Sequence, residues 1–182
     1  MAREDNEYLV PSWSNGDVMS ITSLTSPLSF EDVAVKMSSF GIPEQVRRNR
    51  IRISTTPDLI RDAIRTAQES LSCDHIVTIS TADIGEMLEL QYHLSGPHRM
   101  IISFVLTLPR DRPEAPSISD LLAPAGIYER QIHDLFGIAF PGHPDLKRII
   151  LYEDWPENEY PMRKDWKPHV DIPYGAMKTE GG

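Results

Sequence analysis

Residues 86–108, EMLELQYHLSGPHRMIISFVLTL, decide the architecture. In 86–94 the apolar positions alternate, with Leu88, Leu90, Tyr92 and Leu94 on one side, the period of a strand with one buried face. RMIISFVLTL (99–108) is the next strand, and the short SGPH link at 95–98 makes the two an antiparallel hairpin. The longest apolar run, 100–108, is strand-length and broken by Ser103, well short of the roughly 18 residues of a membrane span.

Upstream of the hairpin, HIVTIST (75–81) reads as a strand. TTPDLIRDAIRTAQESL before it reads as an amphipathic helix, with Thr56 as N-cap and Pro57 at its first position. Leu59, Ile60, Ala63, Ile64, Ala67 and Leu71 share its apolar face, which should pack on the sheet. A further strand is expected around 46–54. Before it, Ser29 and Asp32 form a capping box for a helix carrying Phe30, Val33, Ala34, Met37 and Phe40, with Gly41 as its stop. Residues 1–28 are polar and without period, and read as an extended arm.

Downstream, PRDRPEAP (109–116) is a connector, Ser117 to Leu122 reads as a short capped helix, and a second helix over 125–136 ends at Gly137. RIILY (148–152) reads as a strand, followed by chain punctuated by Pro and Trp. The expectation is an α+β fold: helices on one face of a mostly antiparallel sheet, then an irregular extended C-terminal segment. It divides as an arm (1–28), a domain (29–152) and an interaction segment (153–182).

The chain has 182 residues and a net charge of −9, which argues against a nucleic-acid binder. Its one basic cluster, VRRNRIRI (46–53), reads as the solvated face of a strand. The single Cys73 has no partner for an internal disulfide, which fits a reducing compartment, and the first ten residues lack the pattern of a signal peptide.

The densest stretch is YERQIHDLFGIAFPGHPDLKRIIL, 128–151. Glu129 with His133, and Arg130 with Asp134, stand one helical turn apart. Neither H-E-x-x-H nor E-x-x-H is present, and the six histidines (75, 93, 98, 133, 143 and 169) are scattered, so a metal site is not supported. His143, in the PGHPD turn, could be oriented by Asp134 or Asp145 as the base of a hydrolase, but no activated nucleophile accompanies it. The plainer reading is a hydrogen-bonded turn residue. No phosphate-cradling glycine loop and no cysteine set for an iron–sulfur cluster occurs. In EDWPENEYPMRKDW, Trp155, Tyr160 and Trp166 are interleaved with Pro156, Pro161, Arg163 and Lys164, a composition suited to an interface or to covering the domain's own core. A ligand-binding module would need a pocket lined by Tyr92 and Phe104.

YERQIHDLFGIAFPGHPDLKRIIL followed by EDW and YPMRKDW closely resembles the signature of the 30 kDa subunit family of respiratory complex I, its C-type subunit. Glu129, Arg130, Asp134, Leu135, Phe136, Gly142, His143, Pro144, Lys147, Ile149, Ile150, Pro161, Arg163, Lys164 and Asp165 fall on that signature. The similarity is strong over about residues 75–166 and lies only in element order over 29–74. Gln131 stands where the family usually has a second Glu, and Met162 where it has Leu.

The resemblance implies a structural subunit without cofactors of its own, in the hydrophilic arm of a membrane-bound oxidoreductase. It would brace the large hydrogenase-like (49 kDa-type) subunit on the cytoplasmic side and reach the membrane only indirectly. Iron–sulfur clusters and nickel–iron or quinone sites would lie in partner subunits. The interface it implies comprises Tyr128, Glu129, Arg130, Asp134, Phe136, His143, Pro144, Asp145, Arg148, Trp155, Tyr160, Arg163, Lys164, Asp165 and Trp166. VTISTADIG (77–85) and WPENEYP (155–161) resemble the energy-converting hydrogenase or formate hydrogenlyase branch. The alternative is an NADH-, ferredoxin- or deazaflavin-linked dehydrogenase reducing a quinone or phenazine.

Overall fold

The computed structural model describes residues 28–168; the expected arm up to residue 27 and the last part of the C-terminal segment lie outside them. Helix α1 (Phe30–Met37) opens with the expected capping box: the Asp32 amide donates to Ser29 Oγ at 3.0 Å and the Ser29 amide to Asp32 Oδ2 at 3.3 Å. It buries Val33 and Met37 and ends at Met37, short of Gly41. Gly41 is needed for another reason. A Cβ there would overlap the Ser54 carbonyl, so the chain passes too close for any side chain.

The strand expected at 46–54 is two strands, β1 (Ile42–Arg47) and β2 (Arg50–Ser54), turning at Arg48 and Asn49. Strand β1 is almost entirely exposed, so it carries no apolar alternation by which a sequence reading would find it. Helix α2 (Ile60–Leu71) starts later than expected. The Thr56 carbonyl accepts from the Leu59 amide, closing a separate turn that contains Pro57, and Leu59 lies at the surface instead of on the core face. Ile60, Ala63, Ile64, Ala67 and Leu71 are buried as the periodicity requires.

Strands β3 (His75–Asp83), β4 (Met87–Ser95) and β5 (Ile101–Pro109) complete one sheet of order β1-β2-β5-β4-β3, antiparallel throughout except for the β2–β5 pair. Register places Ile53, Phe104, Tyr92 and Ile79 in one row across four strands. They join Leu88, Leu90, Leu94, Ile102, Leu106 and the buried faces of the helices in a single core. Tyr92 and Phe104 are therefore core residues and do not line a pocket. The other face of the sheet carries polar contacts: Arg52 pairs with Glu89 at 2.6 Å, and His93 is shared between Ser80 and Ser103.

Helix α3 (Ala125–Phe136) packs beside β3 at the opposite edge from β1 and ends at Gly137 in the left-handed conformation. Two expected elements are absent. Residues 117–122 form a turn in which the Leu121 and Leu122 amides both donate to the Ile118 carbonyl, while the Ser117 hydroxyl and Ile118 amide bond to Glu129 of α3. Residues 148–152 form no strand, because three successive amides there converge on Asp134.

Candidate partner-docking site

Helix α3 lies amid irregular chain, and its charged side chains satisfy that chain's backbone. Glu129 is fully buried; it accepts from Ser117 Oγ at 2.6 Å and from the Ile118 amide at 2.8 Å. Burial pushes its carboxyl above the ordinary glutamate range, and these hydrogen bonds offset that only in part. The Tyr92 hydroxyl is buried with no hydrogen-bond partner among the described residues, and burial, then the Glu129 charge, raises its pKa.

His143 sits 4.0 Å from Glu129. Its Nε2 faces the Gly126 carbonyl at 3.0 Å and its Nδ1 accepts from the Asp145 amide at 3.0 Å. These partners assign the neutral tautomer with the proton on Nε2. Both ring nitrogens are occupied by backbone, and the Asp145 carboxylate pairs with Lys147 at 3.1 Å. The pairing a hydrolase would need, with Asp134 or Asp145 orienting the ring, is not made.

The two i,i+4 pairs of the sequence are not made either. His133 bonds the Ile138 carbonyl at 2.9 Å. Arg130 donates to the Lys147 and Arg148 carbonyls at 2.9 and 3.0 Å. Asp134 Oδ2 accepts from the amides of Ile149, Ile150 and Leu151 at 3.2, 2.8 and 2.8 Å. An exposed helical ion pair is worth only a few tenths of a kcal/mol. Backbone groups with no strand partner need an acceptor or donor, and that need wins.

Residues 153–168 close onto the domain. The Met162 amide and Arg163 Nε donate to the Leu135 and Phe136 carbonyls at 3.2 and 2.8 Å, satisfying the C-terminal end of α3. The Arg163 guanidinium lies 4.5 Å from the centre of the Tyr160 ring, and that ring fills the space where a Cβ on Gly137 would stand. Trp155 and Trp166 stack at 5.7 Å. At the end of β3, Asp83 accepts from the Lys164 amide at 2.8 Å, the Gly85 amide at 3.0 Å and Arg110 at 2.6 Å, and Arg110 also bonds Asp165.

Burial alone would raise the Asp83 pKa, but the Lys164 and Gly85 amides, then Arg110, outweigh it and hold the carboxyl at about 2. The folded pKa is depressed below the unfolded one. The stabilisation is therefore complete above about pH 4 and fades as pH falls toward 2. Acid titration followed by tryptophan fluorescence is expected to show release of the segment carrying Trp166 over this window, and Asp83→Asn should remove that acid-sensitive step.

Glu129, Arg130 and Asp134 are thus spent on internal partners, while Asp145 and Lys147 stay at the surface, and several exposed side chains in and near this stretch are apolar. Ile127 is 61 % exposed, Ile150 54 % and Tyr152 60 %, with Ile149 and Met162 also open. Ile127 lies one turn before Arg130, whose side chain holds the strip at 147–148. Gln131, one turn after Ile127, is exposed there too. Sequence reading missed Ile127 and Tyr152, since an apolar residue near a helix start reads as core. It also missed Asp83 and Arg110, whose partners lie far away along the chain.

A family model described as respiratory-chain NADH dehydrogenase, 30 kDa subunit, matches residues 53–170. The C subunit of F420H2 dehydrogenase from Methanosarcina mazei is 33% identical over 134 residues, 72% of this chain and 82% of that protein. The C subunit of NADH-quinone oxidoreductase from Moorella thermoacetica is 41% identical over 98 residues, 53% of this chain and 59% of its own length. The C/D subunit of the same enzyme from Bacteroides thetaiotaomicron is 44% identical over 96 residues, 51% of this chain but 18% of that much longer one. Among solved structures, a chain of the membrane-bound sulfane sulfur reductase, an archaeal respiratory membrane complex, superposes with a TM-score of 0.66 at 26% identity, covering 75% of this chain and 82% of that one. A trypsin-resistant fragment of Nqo5 superposes with a TM-score of 0.53 at 21% identity over 64% of this chain and 95% of the fragment, a likeness of fold alone.

Proposed function

The chain belongs to the respiratory-chain NADH dehydrogenase 30 kDa subunit family, and on that premise we propose that it is a non-catalytic structural subunit of a complex I-type membrane oxidoreductase. It braces a large hydrogenase-like subunit in the hydrophilic arm, on the cytoplasmic side, and electrons pass through iron–sulfur centres held by its neighbours. One observation carries this reading. Of the signature charges, Glu129, Arg130 and Asp134 are spent inside the chain, where they fix residues 117–118 and 147–151 against α3, and the side chains left outward near them include the apolar Ile127, Ile149, Ile150 and Tyr152. Exposed apolar side chains next to a helix fixed by buried hydrogen bonds suit the core of an interface. Gln131 beside Ile127 suits a partner surface with less positive charge than the usual Glu would meet. No helix among the described residues is long and apolar enough to cross a membrane.

For the branch, we place the chain with the donor-linked dehydrogenases, because similarity to the C subunit of an F420H2 dehydrogenase extends over 134 residues. The hydrogenase branch is the second reading, favoured by the short stretches 77–85 and 155–161. Affinity purification of the tagged chain under mild detergent, with metal and flavin analysis of what accompanies it, tests both. Flavin and iron without nickel are the expected result. Nickel with iron would move the chain to the hydrogenase branch, and a chain purifying alone would overturn the subunit reading.

A further inference from the structure

The edge of the sheet farthest from α3 carries a second concentration of charge. Arg47, Arg48 and Arg50 surround the β1–β2 turn, and all are exposed. Arg99 joins them, because the Ile101 amide donates to the Asn49 carbonyl at 2.9 Å and Ile101 pairs with Arg50, bringing the 96–100 loop to the same end of the sheet. Among the described residues none of these four arginines makes an ion pair, whereas Arg52, one register position from Arg50 on the same strand face, is taken by Glu89. Glu44, the carboxylate of this hairpin, stands opposite Arg52, away from the turn. Exposed Ile42 and Val46 lie along the same strand. Four uncompensated guanidinium groups on a chain of net charge −9 are a local inversion of sign that solubility does not require.

We propose that this hairpin end docks an acidic segment of a neighbouring protein subunit, distinct from the partner held at α3. The proposal rests on the reading of the chain as a subunit. Arginine presents a planar fork that binds carboxylates in bidentate fashion, and the cluster contains arginine to the exclusion of lysine. The partner is read through side chains and not by adding a strand: Pro43 offers no N–H, and the bulge between Gln45 and Arg47 twists the outer edge of β1 away from flat pairing. The strongly negative whole chain weighs against an anionic lipid surface, and the apolar side chains beside the arginines suit a protein interface. Because β1 and α3 lie at opposite edges of the sheet, the chain would bridge two neighbours.

The test is purification of the tagged complex carrying either the wild-type chain or Arg47→Gln/Arg48→Gln/Arg50→Gln/Arg99→Gln, with matched circular dichroism and melting as the folding control. The variant is expected to lose one component by at least about tenfold while keeping the others, and washing the wild-type complex in high salt should release the same component. If the variant keeps every component at the wild-type level, the arginine proposal is wrong and the subunit reading stands. If the wild-type chain comes out alone, both fail. Vesicles with about 30% phosphatidylserine serve as the competing probe. Binding that the variant loses, with the protein composition unchanged, would assign the cluster to lipid and overturn the proposal.

Discussion

Asp134→Ala is expected to lower the stability of this chain by about 2–4 kcal/mol. The carboxylate is 4 % exposed and one oxygen gathers three successive amides. Alanine removes the shared acceptor and leaves three N–H groups that no strand can take up. Ile149 and Ile150 are partly open to solvent, so water recovers part of the loss, which sets the range below the sum of three buried vacancies. Urea denaturation gives the free energy, and amide exchange at 149–151 gives its location. Asp134→Asn keeps an acceptor oxygen and should lose about half as much. Equal losses for the two, or protected amides in the alanine variant, would contradict the assignment of Asp134 as the organiser of this strip.

Gly137→Val comes next, at about 3 kcal/mol, from two separate causes. The residue has φ 71°, where a β-branched side chain is strained. A Cβ there also overlaps the Tyr160 ring, so the ring must leave, and with it the Arg163 and Met162 bonds to the end of α3. A double-mutant cycle with Tyr160→Ala separates them. The steric part vanishes once the ring is gone, so the pair should destabilise by clearly less than the sum. Additivity would show that the left-handed backbone alone is responsible.

Much of the architecture was legible because burial imposes a period. Leu88, Leu90, Tyr92 and Leu94 alternate because one face of β4 is in the core, and the α2 face recurs because it lies on the sheet. The Ser29 capping box and the Gly137 stop were legible because their chemistry is local. Strand β1 was hidden because it buries almost nothing. Residues 148–152 read as a strand because Ile149, Ile150 and Leu151 have strand composition, and only the fold brings Asp134 to their amides. The candidate site was legible as a concentration of unusual residues and illegible in direction. Glu129, Arg130 and Asp134 look like surface charges on a helix, and it takes the neighbouring irregular chain to show that their partners are internal.

In the proposed arrangement Glu129, Arg130 and Asp134 hold the chain in shape and the exposed apolar groups near them hold the partner. The most direct measurement is composition of the complex purified through a tagged chain bearing Ile127→Glu and Ile150→Glu. Both side chains are more than half exposed, so the variant should fold and melt like the wild type. It is expected to be recovered folded but without its large partner. A folded variant that still carries the full set of subunits would contradict that arrangement.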